Sequence, residues 1–166
     1  MSDITTSPVP TSIALTETTA VPAERVLAAA CDFSARRARV FPAVSVRHMT
    51  VHALDSTAAD VTEGTRVGPL VLWERCDYDW SQPGRVIATV THSNVYRVPG
   101  SRWEITAQAA DGATQVEMIW TRCFRRNLLG RFMGVVYRRF GQRSFAKYAH
   151  EIVQNLELLE AEPAGT

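Results

Sequence analysis

Residues 127–160 read NLLGRFMGVVYRRFGQRSFAKYAHEIVQNLELLE. No proline interrupts them, and apolar residues recur every three or four positions, which predicts one helix of about thirty residues. Leu129, Phe132, Met133, Val136 and Phe140 share one face early on. Phe145, Tyr148, Ala149, Ile152, Leu156 and Leu159 share another later. The two faces are offset by more than a quarter turn, and the change falls near Gly141. Either the helix bends there, where it would line a pocket, or it drifts as it curves over a twisted sheet. In both cases its apolar stripe must be covered by what precedes it.

What precedes it is strand-like for eighty residues. Val46 to Leu54 is one run, closed by Asp55-Ser56, and a short run ends at Glu63-Gly64. A cleaner strand begins at Leu70, after Gly68-Pro69, and reaches Trp80. Gln82-Pro83-Gly84 turns the chain into Arg85 to Asn94, and Pro99-Gly100 turns it again. Arg102 to Ala109 and Thr114 to Phe124 form a hairpin around Asp111-Gly112. Tight turns between successive strands imply an antiparallel meander. Upstream, Ser12 to Val21 alternates as a strand, and Pro22 opens a helix over AERVLAAACDF. A second short helix, SARRARVF, stops at Pro42. The expected fold class is therefore α+β: six or seven antiparallel strands, two short helices after the first strand, and the long C-terminal helix.

Composition sets limits around this. The chain has 166 residues, enough for one domain, with 46% apolar and 21% charged side chains and a formal charge of +1. Such a balance argues against a wholesale nucleic-acid binder. No apolar run approaches the roughly 20 residues of a membrane span. The N-terminus lacks the basic start and apolar stretch of a signal peptide. Cys31, Cys76 and Cys123 are odd in number and far apart, so no disulfide framework or metal motif is expected, and the cytoplasm is the default compartment. Residues 1–11 and 161–166 read as tails flanking a single domain over 12–160.

The residues TTAVPAERVLAAACDF, FPAVSVRHMTV, EGTRV and ERCDYDWSQPGRVIATV, with the hairpin ADGATQVEMIW and the closing helix, make the chain resemble the SRPBCC or START-like superfamily, the helix-grip fold. The likeness spans about residues 12 to 160 and is strongest to the polyketide cyclase/dehydrase and lipid-transport-like group. It implies a curved sheet wrapped around the long helix and a hydrophobic small molecule bound between them. Some members cyclise polyketide chains held on an acyl carrier protein; others only bind or transfer. Of the W-x-W pattern of the aromatase/cyclase branch, LVLWERCDYDW carries one tryptophan, Trp73, and His92 falls near the place of a family arginine. The resemblance thus implies a cofactor-free polyketide cyclase/dehydratase-like enzyme, or alternatively a non-catalytic lipid or metabolite carrier.

Strand parity names the cavity candidates. In 70–80 the more apolar set is Leu70, Leu72, Glu74, Cys76, Tyr78 and Trp80. The inward sets elsewhere are Val86, Ala88, Val90, His92 and Asn94; Trp103, Ile105 and Ala107; Val116, Met118, Trp120, Arg122 and Phe124; and Ile13, Leu15, Glu17 and Thr19. A bulge would reverse any of these sets beyond it. From the helix, Phe132, Val136 and Phe140 are expected to close the cavity. Glu74 and Arg122 form either a structural ion pair or a carboxylate acid/base oriented by an arginine. His92 is the acid/base candidate if it faces inward, and a solvated strand-end residue if it does not. Tyr78 would donate to a developing enolate oxygen.

No metal is expected: His48 and His52, four apart in a strand, are separated by roughly 13 Å. Charge is uneven, however. Arg122, Arg125, Arg126, Arg131, Arg138, Arg139, Arg143 and Lys147 fall in 121–147 with no acid among them. Cations in the first turns of a helix oppose its dipole. This stretch is either a solvated face or, at Arg125, Arg126, Arg131, Arg138 and Arg139, a site for an acyl carrier protein or anionic surface. The chain itself would be a monomer or homodimer.

Overall fold

The computed structural model describes residues 10–162; of the expected tails over 1–11 and 161–166, residues 1–9 and 163–166 lie outside the described residues, while Thr11 and Ala161 belong to the first strand and the last helix. The chain runs β1 (Thr11–Thr19), α1 (Ala23–Ala30), α2 (Arg37–Val40), a 3-10 turn (Val46–His48), then β2 (Thr50–Leu54), β3 (Ala58–Val67), β4 (Leu70–Asp79), β5 (Arg85–Ser93), β6 (Arg102–Ala110), β7 (Ala113–Arg122) and α3 (Leu128–Ala161). The seven strands form one antiparallel sheet in the order β1-β7-β6-β5-β4-β3-β2. Only β1 leaves sequence order, pairing with β7 from Thr11 opposite Arg122 to Thr19 opposite Thr114.

Local chemistry sets the element ends. Pro22 precedes α1, and its carbonyl accepts from Arg25 and Val26. Asn127 caps α3, its side chain accepting from the Gly130 amide at 2.8 Å. Asp111 and Gly112 both take positive φ in the β6–β7 turn, which suits the right-handed twist of a hairpin. Two sequence expectations shift. Val46–His48 coils as a 3-10 turn rather than opening a strand. Glu63-Gly64 lies inside β3, and the chain turns instead at Gly68-Pro69.

The parity of β5 reverses near its end. Arg75 pairs with His92 but Cys76 pairs with Val90, so Thr91 is an extra residue, a β-bulge. Val86, Ala88 and Val90 face inward as expected; beyond the bulge it is Ser93 and Val95 that are buried.

The core is one cluster under the sheet, and Trp103, Ile105, Met118 and Trp120 of it also line a cavity. One end is packed solid: Val26 and Ala30 of α1, Val61, Val86 and Ala88 of the sheet, and Val153 and Leu156 of α3. At the other end, α3 meets the sheet through glycines. Gly134 lies against the Phe124 ring, and a Cβ on Gly141 would come within 3.0 Å of Ile13. The buried face of the first half of α3 is Gly130, Gly134, Tyr137 and Gly141, not the expected Phe132, Val136 and Phe140. Small residues let the helix seat close on β1 and on the segment that follows β7 there, while Phe132 and Phe140 turn outward.

Candidate functional site: two arginine–glutamate pairs in one cavity wall

Between α3, β3–β4 and the segment after α2 lies a cavity of about 310 Å³. Its wall is mostly apolar and aromatic, with Trp73, Tyr96, Trp103, Trp120, Phe145 and Tyr148 contributing rings. Trp120 and Phe145 pack with centroids 4.8 Å apart, and Tyr137 backs Phe145 at 5.2 Å. Four charged residues share this wall: Arg37, Glu63, Glu74 and Arg122.

Their placement follows from register. Glu63 of β3 lies directly opposite Glu74 of β4, and both side chains take the inner face. Like charges directly opposite one another destabilise a sheet, and each is offset by its own arginine, arriving from opposite sides. Arg37 of α2 is 1% exposed. Its Nε donates to Glu63, Nη1 to the Ala30 carbonyl at 2.9 Å and Nη2 to the Tyr78 hydroxyl at 3.0 Å. The Tyr78 hydroxyl in turn donates to Glu63. The Arg37 guanidinium lies 4.7 Å from the rings of both Phe33 and Phe41. This cluster is fully partnered.

The second pair is not. Arg122, at the end of β7, is 6% exposed. It donates from Nη1 and Nη2 to the two Glu74 oxygens at 3.0 and 3.4 Å, over the Tyr96 ring at 4.4 Å. Its Nε has no hydrogen-bond partner and is buried. Burial lifts the Glu74 carboxyl above the ordinary range; Arg122 opposes this and Glu63 adds to it. Burial and Glu63 likewise raise Tyr78 well above the usual phenol value. Burial pushes the Cys76 thiol up, away from nucleophilic use.

Of the residues expected from sequence, Leu72, Glu74, Trp103, Met118, Trp120 and Arg122 line the cavity. Cys76 and Tyr78 are buried on the same face behind the wall. The others lie elsewhere. His92, beyond the bulge, is exposed, opposite Arg75, whose side chain binds Asp60 on the outer face. Asn94 braces a loop, accepting from the Trp73 amide and donating to the Val71 carbonyl. Trp80 donates from Nε1 to the Ser56 carbonyl. Thr19 donates to Glu157 at 2.7 Å, and Glu17 faces His150 at 3.5 Å, both tying β1 to α3. Phe132, Val136 and Phe140 are absent from the wall, because the glycine face of α3 turns them away.

Arg37 and Glu63 were missed. Glu63 continues the inward set Ala59, Val61 in β3, and that parity was the available signal; the adjacent Gly64 disguised it as a turn. Arg37 carried no signal, being one of four arginines between Arg36 and Arg47.

No family model matches the chain, and no curated protein matches it by sequence. Solved structures do. A Zhui aromatase/cyclase from Streptomyces sp. R1128 superposes with a TM-score of 0.73 at 14% identity, covering 95% of this chain and 100% of that one. TTHA0849 from Thermus thermophilus gives 0.73 at 12%, covering 92% and 100%. A START superfamily protein from Mycobacterium smegmatis gives 0.69 at 9%, covering 89% and 98%. The architecture is therefore the helix-grip fold of START-like proteins and aromatase/cyclases, as the sequence pattern implied. Among the described residues no helix is long and apolar enough to cross a membrane.

Proposed function

We propose that the chain binds an apolar, oxygen-bearing small molecule in this cavity and acts on it as a cofactor-free polyketide cyclase/dehydratase-like enzyme. The observation that carries this is the Arg122–Glu74 pair in a mostly apolar wall, with the Arg122 Nε buried without a partner and burial raising the Glu74 carboxyl above its ordinary value. A buried donor without an acceptor costs about 1–3 kcal/mol, and a ligand oxygen would remove that cost. The aromatase/cyclase neighbours support the reaction class.

The chemistry follows from the pair. Glu74, as carboxylate, takes a proton alpha to a ligand ketone. The enolate oxygen that forms accepts from Arg122 Nε. The enolate carbon attacks a second carbonyl of the same chain, and Glu74 returns the proton to the resulting alkoxide. Glu74 then takes a second alpha proton and delivers it to that hydroxyl, which leaves as water, so the carbon–oxygen bond breaks as the carbon–carbon double bond forms and the carboxylate is regenerated. The aromatic wall holds the chain folded, so proximity supplies much of the rate. Tyr78 and Arg37 hold Glu63 away from the reaction. The arginines at the start of α3 would meet an anionic partner that delivers or receives the ligand.

Turnover of a thioester-linked poly-β-ketone mimic tests this. Glu74→Gln should abolish cyclisation while retaining binding of a stable aromatic analogue. Equal turnover by variant and wild type overturns the acid/base role. Tight binding with no turnover by wild type favours the second reading, a metabolite or lipid carrier, which the apolar lining also supports.

A further inference from the structure

Charge is divided between the two ends of the sheet. The β3–β4 turn, the connection from Asn94 to Ser101, the turn before β2 and the first half of α3 gather at one end. None of residues 41–54, 64–73, 94–101 or 121–147 is Asp or Glu. The turn carboxylates Asp55, Asp79 and Asp111 belong to the opposite end.

At this basic end, large apolar side chains face water. Leu128 is 87% and Phe132 65% exposed, and Val46, Val67, Leu70 and Val98 project from the other three segments. Most have an arginine beside them in sequence: Arg47 next to Val46, Arg66 next to Val67, Arg97 next to Val98, Arg131 next to Phe132. Val44, Thr65, Trp73 and Ser144 carry these same segments into the cavity wall. On α3, Phe140 stands one turn before Ser144, so the row Phe132, Val136, Phe140 runs outward from the mouth. The residues expected to close the cavity thus form its outer lip.

We propose that this end docks on an anionic lipid surface, so that the cavity exchanges its ligand with the bilayer rather than with water. The proposal rests on reading the cavity as a site for an apolar ligand. Apolar tips that enter the acyl boundary, with guanidinium groups level with the phosphates, account for both features together. An acidic protein surface would satisfy the arginines but would need a matching recess for each of the separate tips Val46, Val67, Leu70 and Val98, which a bilayer does not.

The test is flotation of the full chain with vesicles of phosphatidylcholine alone, or of phosphatidylcholine mixed with phosphatidylglycerol. Binding to the anionic vesicles should be at least about tenfold tighter and should weaken steeply with salt. Leu128→Ser with Phe132→Ser should reduce it by about tenfold or more, since each removes buried apolar area. Arg131→Gln with Arg138→Gln should reduce it by a similar factor. These side chains are outside the core, and circular dichroism checks that the variants fold. Equal binding to both vesicle types, or binding that the variants leave unchanged, overturns the proposal. So does association with an acidic carrier protein, abolished by the same variants, in the absence of vesicle binding. Quenching of the cavity tryptophans by a soluble naphthol, measured without vesicles, reports the cavity separately. Its failure would remove the ligand reading and leave the docking result standing.

Discussion

Arg37–Glu63 and Arg122–Glu74 look alike in composition and differ in what they leave over. Both are buried arginines clamping carboxylates that face each other across β3 and β4. Arg37 spends its donors on Glu63, Tyr78 and a backbone carbonyl, between two phenylalanine rings. Arg122 spends two groups on Glu74 and keeps Nε unpaired. A satisfied buried pair mainly fixes geometry; an unsatisfied one holds recognition capacity. On the proposed reading the first pair braces the wall, and the second is the part of it that meets a ligand.

The sharpest way to break this contrast is to remove one partner of the brace. Arg37→Ala leaves Glu63 buried and unpaired, and should cost about 3–5 kcal/mol in urea-induced unfolding. A loss no larger than that of a surface arginine would mean the brace is solvated. Arg122→Lys keeps the charge but loses the fork and Nε. Ligand affinity should fall roughly ten- to a hundredfold, the worth of a hydrogen bond involving a charged group. Arg37→Lys should lower stability instead, leaving the affinity of the folded protein near wild type. If titration calorimetry shows the reverse order, the roles of the pairs are exchanged.

Tyr78→Phe should cost about 1–3 kcal/mol of stability, because it strips a hydroxyl from Arg37 and Glu63, with little change in affinity. The pH dependence separates the pairs again. Glu74 holds its proton more tightly in the folded chain than in the unfolded one. Its contribution is fully present below the ordinary carboxylate value and is lost as pH rises through the raised folded value. Glu74→Gln removes that slope. The stability difference, wild type minus variant, should therefore fall with rising pH across this window and level off above it. A flat difference in urea titrations would place Glu74 in water. The smallest effect is expected for His92→Ala, which should leave ligand binding and turnover unchanged; lost turnover would move the chemistry to the outer face of the sheet.

How much of the site was legible depended on which rule each residue obeyed. Leu72, Glu74, Trp103, Met118, Trp120 and Arg122 obey plain alternation in unbroken strands, and all six line the cavity. His92 and Asn94 lie beyond one extra residue, Thr91, and that insertion reversed them. No local signal marks such a bulge. Phe132, Val136 and Phe140 failed for another reason. Helical periodicity shows that residues share a face, not which face is buried. Here the close approach of α3 to Ile13 and Phe124 selected the glycines.

The sequence by itself determined the class of the fold, the succession of strands along the chain, the long closing helix and the charge asymmetry around that helix. Those properties depend on local periodicity, turn residues and composition, which neighbours in the chain settle among themselves. Only the tertiary structure decided that Arg37 reaches Glu63 across twenty-six positions, that two carboxylates meet across a hairpin, and that Arg122 keeps its Nε without a partner. Those contacts depend on register and on the distance between helix and sheet, which are set when distant segments compete for the same space.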